Sequence, residues 1–104
     1  MKKAVLVLVT VPNRKEANKI ATALVDEKLA ACVSAFPEIT SRYRWKGAVE
    51  TSREVLILIK TMASNYKRVE RRILQLHSYE VPEILAIPIR AGNPAYLKWL
   101  RDCV

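Results

Sequence analysis

Glycine is scarce in this chain, with only Gly47 and Gly92 among 104 residues. Loops that cradle phosphate groups need several closely spaced glycines, because the backbone must approach the phosphate without intervening side chains. The sequence therefore excludes P-loop nucleotide hydrolases and dinucleotide-binding enzymes.

Histidine and cysteine are also rare. His77 is the single histidine, and Cys32 and Cys103 stand far apart without C-x-x-C spacing. One disulfide between the two cysteines is conceivable, but they do not form the framework of a small secreted protein. No Ser-His-Asp arrangement of the usual order and no paired metal-ligand spacing occurs, so neither hydrolytic nor zinc chemistry is indicated. We expect a protein that is not an enzyme.

The apolar runs are too short to span a membrane, because none approaches the roughly 20 residues that a bilayer requires. The start, Met1-Lys2-Lys3 followed by apolar residues 4–9, imitates a signal peptide. It lacks a small-residue cleavage site, and the polar segment 13–16 follows almost at once. A buried first strand is the favoured interpretation, and we expect a cytoplasmic protein without membrane association.

The formal net charge is +8, which raises the prospect of a nucleic acid or another polyanion as a partner. The densest basic group falls on one predicted helix, opposite an apolar stripe, and comprises Lys67, Arg68, Arg71 and Arg72. A solvated helix face is expected there in any case. We therefore favour this interpretation over a nucleic-acid stripe and predict no specific nucleic-acid partner.

The first half of the chain reads as strand, helix and strand. An apolar run predicts a strand over 3–11, which Pro12 ends. Asn13 and Glu16 resemble a capping box for a helix that ends near Lys28, since apolar residues follow at spacings of three and four. A second strand is predicted from 29–33, with an interruption at Pro37.

The second half begins with a hairpin. One arm starts at residue 39, a turn falls at 46–47, and the return arm covers 48–60. Ser64 is the predicted cap of a second amphipathic helix, whose inner face carries Met62, Tyr66, Val69, Ile73 and Leu76. A last strand over 83–89 contains Pro88, which donates no ladder hydrogen bond and so suits a sheet edge. Asn93 and Pro94 open a short terminal helix.

This order predicts an α+β fold: a ferredoxin-like βαββαβ sandwich with a long β-hairpin and a short C-terminal helix, in a single domain over 1–104. Right-handed crossovers place both main helices on one face of the sheet. Strands with one open face should alternate apolar and polar residues. Residues 5–9 and 55–59 do not alternate, which predicts self-association through the open face. The alternative is that the C-terminal segment covers this face.

Six segments in order along the chain resemble signature segments of the CutA, or divalent-cation-tolerance, family. They are VTVP at 9–12, EKLAACV at 27–33, YRWKG at 43–47, IKT at 59–61, HSYEVPEI at 77–84 and GNPAYL at 92–97. The resemblance implies a ferredoxin-like subunit, a homotrimer held by the long hairpin strands, and an association with copper or another divalent cation. It also implies a likeness to PII signalling proteins and a fold that requires no cofactor.

The chain departs from the family pattern at four positions. Ser34 and Ser78 replace an asparagine and a proline that many members carry. Val9 and Leu76 stand where some bacterial members have a cysteine and a histidine, so two potential metal ligands are missing.

The candidate metal ligands are His77, Cys32 and Glu80. His77 could instead be a helix-terminal imidazole that bonds local carbonyls, and Cys32 could be a small buried hydrophobe. The carboxylate of Glu80, and that of Glu83 beyond Pro82, could equally be solvated.

A second candidate site is an intersubunit pocket. Tyr43 and Trp45 share one face of the hairpin and either line this pocket or form cross-strand pairs. Lys60 and Tyr79, which lie in the family segments, complete it.

Three functions are therefore compared. The first is a homotrimeric, CutA-like protein that binds divalent metal ions, copper above all, in metal tolerance or response. The second is a PII-like trimeric sensor or scaffold that binds a small anion or a partner protein. The third, a ferredoxin-like nucleic-acid binder, ranks last because the central strands carry no exposed aromatic residues.

Overall fold

The computed structural model describes residues 3–104, so Met1 and Lys2 of the leader-like start lie outside the described residues. The elements follow the order β, α, β, β, α, β, α. They are β1 Ala4–Val11, α1 Arg14–Asp26, β2 Cys32–Trp45, β3 Ala48–Met62, α2 Tyr66–Leu76, β4 Ile84–Pro88 and α3 Pro94–Cys103. This confirms the predicted α+β, ferredoxin-like arrangement with a long hairpin and a C-terminal helix. Within residues 3–104, no helix combines the length and apolar character that crossing a bilayer requires.

The four strands form one antiparallel sheet in the order β2-β3-β1-β4. β4 therefore lies at an edge, where its terminal Pro88 pairs with Val5 of β1. This placement confirms the expectation drawn from the proline, because an edge strand can lack one hydrogen-bond donor without disrupting a neighbour.

The boundaries of the first main helix agree with those predicted from the sequence, whereas the start of the second helix differs from the prediction. The Asn13 side chain accepts a hydrogen bond from the Glu16 amide (2.9 Å), as the capping pattern predicts. α1 ends at Asp26, and Lys28 adopts a left-handed backbone with φ of 59°. The predicted cap at Ser64 is wrong, because a 3-10 turn over Ala63–Asn65 precedes α2.

The hairpin is longer and more continuous than predicted. β2 runs through Pro37 as one strand, and its register against β3 shifts between Phe36 and Ile39. β2 has one residue more than β3 across this shift, which is a β-bulge, so the proline is accommodated without ending the strand. The turn at Lys46 and Gly47 has φ values of 50° and 82°, which suits a two-residue hairpin connection.

The inner face of the sheet packs against α1 and α2. Buried valines and isoleucines of β1 and β3 meet the apolar faces of both helices in one core. The outer face is also apolar: Leu8 pairs with Leu58 on one side and with Leu85 on the other. α3 contacts β1 and β3, but Leu85 remains 54% exposed and Phe36 51% exposed. The C-terminal segment therefore covers only part of the outer face.

Candidate functional site

A cleft of about 780 Å³ opens between the β2–β3 hairpin and the loop that follows α2. We call it the hairpin cleft. The hairpin contributes Tyr43, Trp45 and Glu54, and the loop contributes Tyr79, Glu80 and Glu83. Arg42 and Lys46 are its basic lining residues, so carboxylates outnumber cations in the cleft of a chain whose net charge is +8.

His77 anchors the loop side of the cleft. α2 ends at Leu76, and His77 has an extended backbone with its imidazole completely buried. Nε2 lies 2.7 Å from the Thr10 carbonyl, to which it donates, and Nδ1 accepts from the Tyr79 amide at 3.1 Å. An amide that donates to Nδ1 needs a lone pair there, which assigns the donor role to Nε2. The loop is thereby held against β1.

Glu16 of α1 reinforces this anchor. One carboxylate oxygen of Glu16 accepts a hydrogen bond from the Ser78 amide at 3.1 Å and lies 3.3 Å from Nδ1 of His77. The loop is thus fixed by a strand and a helix that are distant from it in sequence.

The position and the hydrogen bonding of His77 differ in part from what the sequence predicted. It lies just beyond the helix rather than within its apolar stripe, and the carbonyl that it bonds lies 67 positions earlier in the chain. Because both ring nitrogens already have protein partners, a metal ion could bind the imidazole only after one of these hydrogen bonds breaks.

Glu54 lies deep in the cleft and is only 6% exposed. Its Oε2 accepts a hydrogen bond from the Tyr79 hydroxyl at 2.7 Å. Burial, followed by this hydrogen bond and the charge of Glu54, raises the pKa of Tyr79. The phenol therefore remains a neutral donor at physiological pH. Sequence reasoning missed Glu54, although a lone acidic residue directly before the apolar run 55–59 was an available signal.

The aromatic wall of the cleft belongs to the hairpin. The Tyr43 and Ser52 hydroxyls lie 2.7 Å apart across the two strands. At the mouth of the cleft, the Lys46 ammonium lies 5.6 Å from the Trp45 ring centroid and 3.8 Å from Glu80. An aromatic ring and a carboxylate therefore already share one ammonium group here.

Four of the seven candidate residues line the hairpin cleft, namely Tyr43, Trp45, Tyr79 and Glu80. Cys32 and Lys60 face each other on β2 and β3, in line with Leu6 of β1. Thr10, which contacts His77, lies four residues along β1 from Leu6, or roughly 13 Å. Cys32 and Lys60 are therefore not part of this cleft within one chain.

Cys32 has a polar environment of its own. The Lys60 ammonium donates to the Cys32 thiol at 3.7 Å and also to the Ser34 hydroxyl. Cys32 and Cys103 are both free thiols. Across residues 3–104, no three His, Cys, Asp or Glu side chains are grouped so that they could hold a metal ion.

Comparison with known proteins gives consistent matches over nearly the whole chain. The profile of the family described as "CutA1 divalent ion tolerance protein" matches residues 5–103. The "Divalent-cation tolerance protein CutA" of Thermus thermophilus is 50% identical over 97 residues, which are 93% of this chain and 94% of that protein. The "Protein CutA homolog" of Xenopus laevis is 49% identical over 92% of this chain, which spans only 64% of that longer relative.

A solved structure agrees with these matches. The divalent cation tolerance protein of Thermus thermophilus superposes with a TM-score of 0.92 and 48% sequence identity. The match covers 98% of this chain and 97% of that one.

Proposed function

The chain belongs to the CutA1 divalent ion tolerance family, and we propose that it is a homotrimer that binds divalent cations in the hairpin cleft. The observation that carries this proposal is that three carboxylates, Glu54, Glu80 and Glu83, line one cleft of a strongly basic chain. Within the described residues of one chain they are not grouped closely enough to hold an ion, so the proposed site needs further donors from a second copy. Carboxylates elsewhere on the surface form ion pairs such as that between Arg72 and Glu27 (2.9 Å). The role is one of binding rather than catalysis.

The donor set of the cleft favours some metal ions over others. Glu80 is exposed at the mouth and is the first ligand that we assign. Carboxylates and hydroxyls suit hard divalent cations, whereas copper prefers nitrogen and sulfur donors. Copper would need His77 to release the Tyr79 amide, and Cys32 could join only from another copy of the chain. We therefore expect modest copper affinity.

The uncovered outer face supports the trimer. Leu8, Leu58 and Leu85 form an apolar row across three strands, and half of Leu85 is exposed in the single chain. Contiguous apolar surfaces of this kind usually mark interfaces. Copies that pack outer face against outer face would bury this row.

Calorimetric titration with Cu²⁺ and Mn²⁺ tests the metal site. We expect Glu80→Gln to weaken binding of both ions, and His77→Ala to weaken binding of Cu²⁺ alone. Glu38→Gln is the matched control, because Glu38 lies near Arg53 (3.9 Å), outside the cleft. Wild-type affinity in Glu80→Gln would refute the cleft as the metal site. Melting temperatures establish whether each variant is folded.

The second candidate is a PII-like sensor or scaffold for a small anion or a partner protein. The cleft volume supports an organic ligand, since small-molecule sites commonly enclose about 300–1,000 Å³. The carboxylates of the cleft repel an anion. An anion could therefore bind only if the positive charges of Arg42 and Lys46 outweigh them. A rise in melting temperature with an anionic metabolite, and none with metal ions, would favour it.

The cytosol is the compartment that we propose. Free thiols persist in reducing compartments, and both cysteines are free in the structure. Purification under non-reducing conditions from the native source, followed by mass measurement of the thiols, tests this assignment.

A further inference from the structure

Glu54 is a buried carboxyl group that forms no ion pair with a basic side chain of residues 3–104. Glu54 is 6% exposed, and the group that donates a hydrogen bond to it is the neutral phenol of Tyr79. The ion pairs of the described residues do not include Glu54. Buried charges in proteins are normally paired or bound to a cation. The carboxylate therefore leaves a place for a positive group in the cleft.

Three basic residues of the hairpin have other partners. Arg53 lies 3.9 Å from Glu38, and Arg42 donates to the Thr51 hydroxyl at 2.9 Å. Lys46 pairs with Glu80 at the mouth. None of these side chains pairs with Glu54, so a cation that meets its carboxyl group would come from outside residues 3–104.

We propose that the hairpin cleft binds a small organic ammonium ion, with its charged head at Glu54 and its apolar body against Tyr43, whose hydroxyl lies 2.7 Å from that of Ser52, two residues from Glu54 on β3. Aromatic faces attract cations and also bury hydrocarbon, so they suit an ammonium group on an alkyl chain. A bare metal ion has no hydrocarbon body to pack against a ring. The inference uses the same cleft as the proposed metal function, but it does not depend on metal binding.

Two features of the cleft fit this ligand class. Its volume of about 780 Å³ exceeds by far the space that a single ion needs. The Lys46 ammonium at the mouth already lies between Trp45 and Glu80, at 5.6 Å and 3.8 Å respectively. The Tyr79 hydroxyl donates to Oε2 of Glu54 and so holds the carboxyl group in place for the ligand.

Fluorescence of Trp45 gives a direct test. The chain contains two tryptophans, and Trp99 is half-exposed on α3, so Trp99→Phe leaves Trp45 as the single reporter. The probe is n-butylammonium, the neutral control is 1-butanol, and ionic strength is held constant. We expect a saturable fluorescence change with the ammonium and none with the alcohol.

Variants in the Trp99→Phe background identify the residue that binds the charge. Glu54→Gln keeps the size of the side chain and an acceptor for Tyr79, and it should bind butylammonium roughly tenfold more weakly or worse. Glu38→Gln should bind as the parent does. Equal response to the alcohol, equal affinity of Glu54→Gln, or no saturation at millimolar ligand would overturn the proposal.

Two further outcomes separate this inference from the metal function. Loss of Cu²⁺ binding in Glu80→Gln with butylammonium affinity intact would support both the metal site at Glu80 and a separate organic site at Glu54. If a basic side chain of a second copy fills the cleft instead, the ligand will not bind and Glu54→Gln will weaken the oligomer. That result would refute the inference and leave the metal proposal standing.

Discussion

The assembly surface can be tested by making the same substitution, leucine to glutamate, once at Leu74 and once at Leu85. Leu74 on α2 is 53% exposed, and Leu85 on β4 is 54% exposed. The first faces solvent from the helical layer, and the second lies on the outer face of the sheet beside Leu8. In a monomer, glutamate at either site should change the free energy of unfolding by about 0.5 kcal/mol or less.

In a trimer that packs outer face against outer face, the two sites should differ strongly. Leu85→Glu loses the burial of the exposed half of the side chain, which contributes about 1 kcal/mol. An unpaired carboxylate in an apolar interface costs about 3–5 kcal/mol more. The total of about 4–6 kcal/mol per copy corresponds to roughly a thousandfold to ten-thousandfold in the association constant.

Sedimentation equilibrium at micromolar concentration measures the outcome. Wild type and Leu74→Glu should sediment at about three times the chain mass of 11.8 kDa, and Leu85→Glu should sediment closer to that mass. Charge repulsion cannot explain such a loss, because the added carboxylate lowers a net charge of +8. A monomeric wild type, or a Leu85→Glu variant that remains trimeric, would refute the reasoning.

Three further outcomes are expected. Ile57→Ala, at a completely buried core position, should lower the free energy of unfolding by about 2–5 kcal/mol in urea, and a loss well below this range would contradict the assigned packing. The pKa of Tyr79 is raised from its ordinary value of 10.0, so the folded state keeps a proton that the unfolded state releases. Stability should therefore fall as the pH rises above that value, and more steeply in wild type than in Tyr79→Phe; equal slopes would count against the buried phenol. Binding of mixed-sequence DNA should weaken steeply from low to physiological salt, and a sequence-selective complex at physiological salt would show that the basic helix face had been misjudged.

Much of the fold followed from local patterns in the sequence. Apolar periodicity identified both main helices, the continuous apolar runs identified β1 and β3, and the Lys46-Gly47 pair identified the hairpin turn. These signals depend on neighbouring residues only. The prediction at Ser64 was wrong because the chain forms a 3-10 turn there before α2 begins, a choice that cap preferences alone do not determine.

The site was predictable only in part. Tyr43, Trp45, Tyr79 and Glu80 were identified from the sequence because they lie in distinctive segments. The connection between His77 and Thr10, 67 positions apart, depends on how α2 returns the chain to β1. Glu54 is an ordinary acidic residue in the sequence. It becomes a buried polar group because the folded loop brings the Tyr79 hydroxyl to it, and the cost of burying a polar group depends on the solvent and partners that the tertiary structure provides.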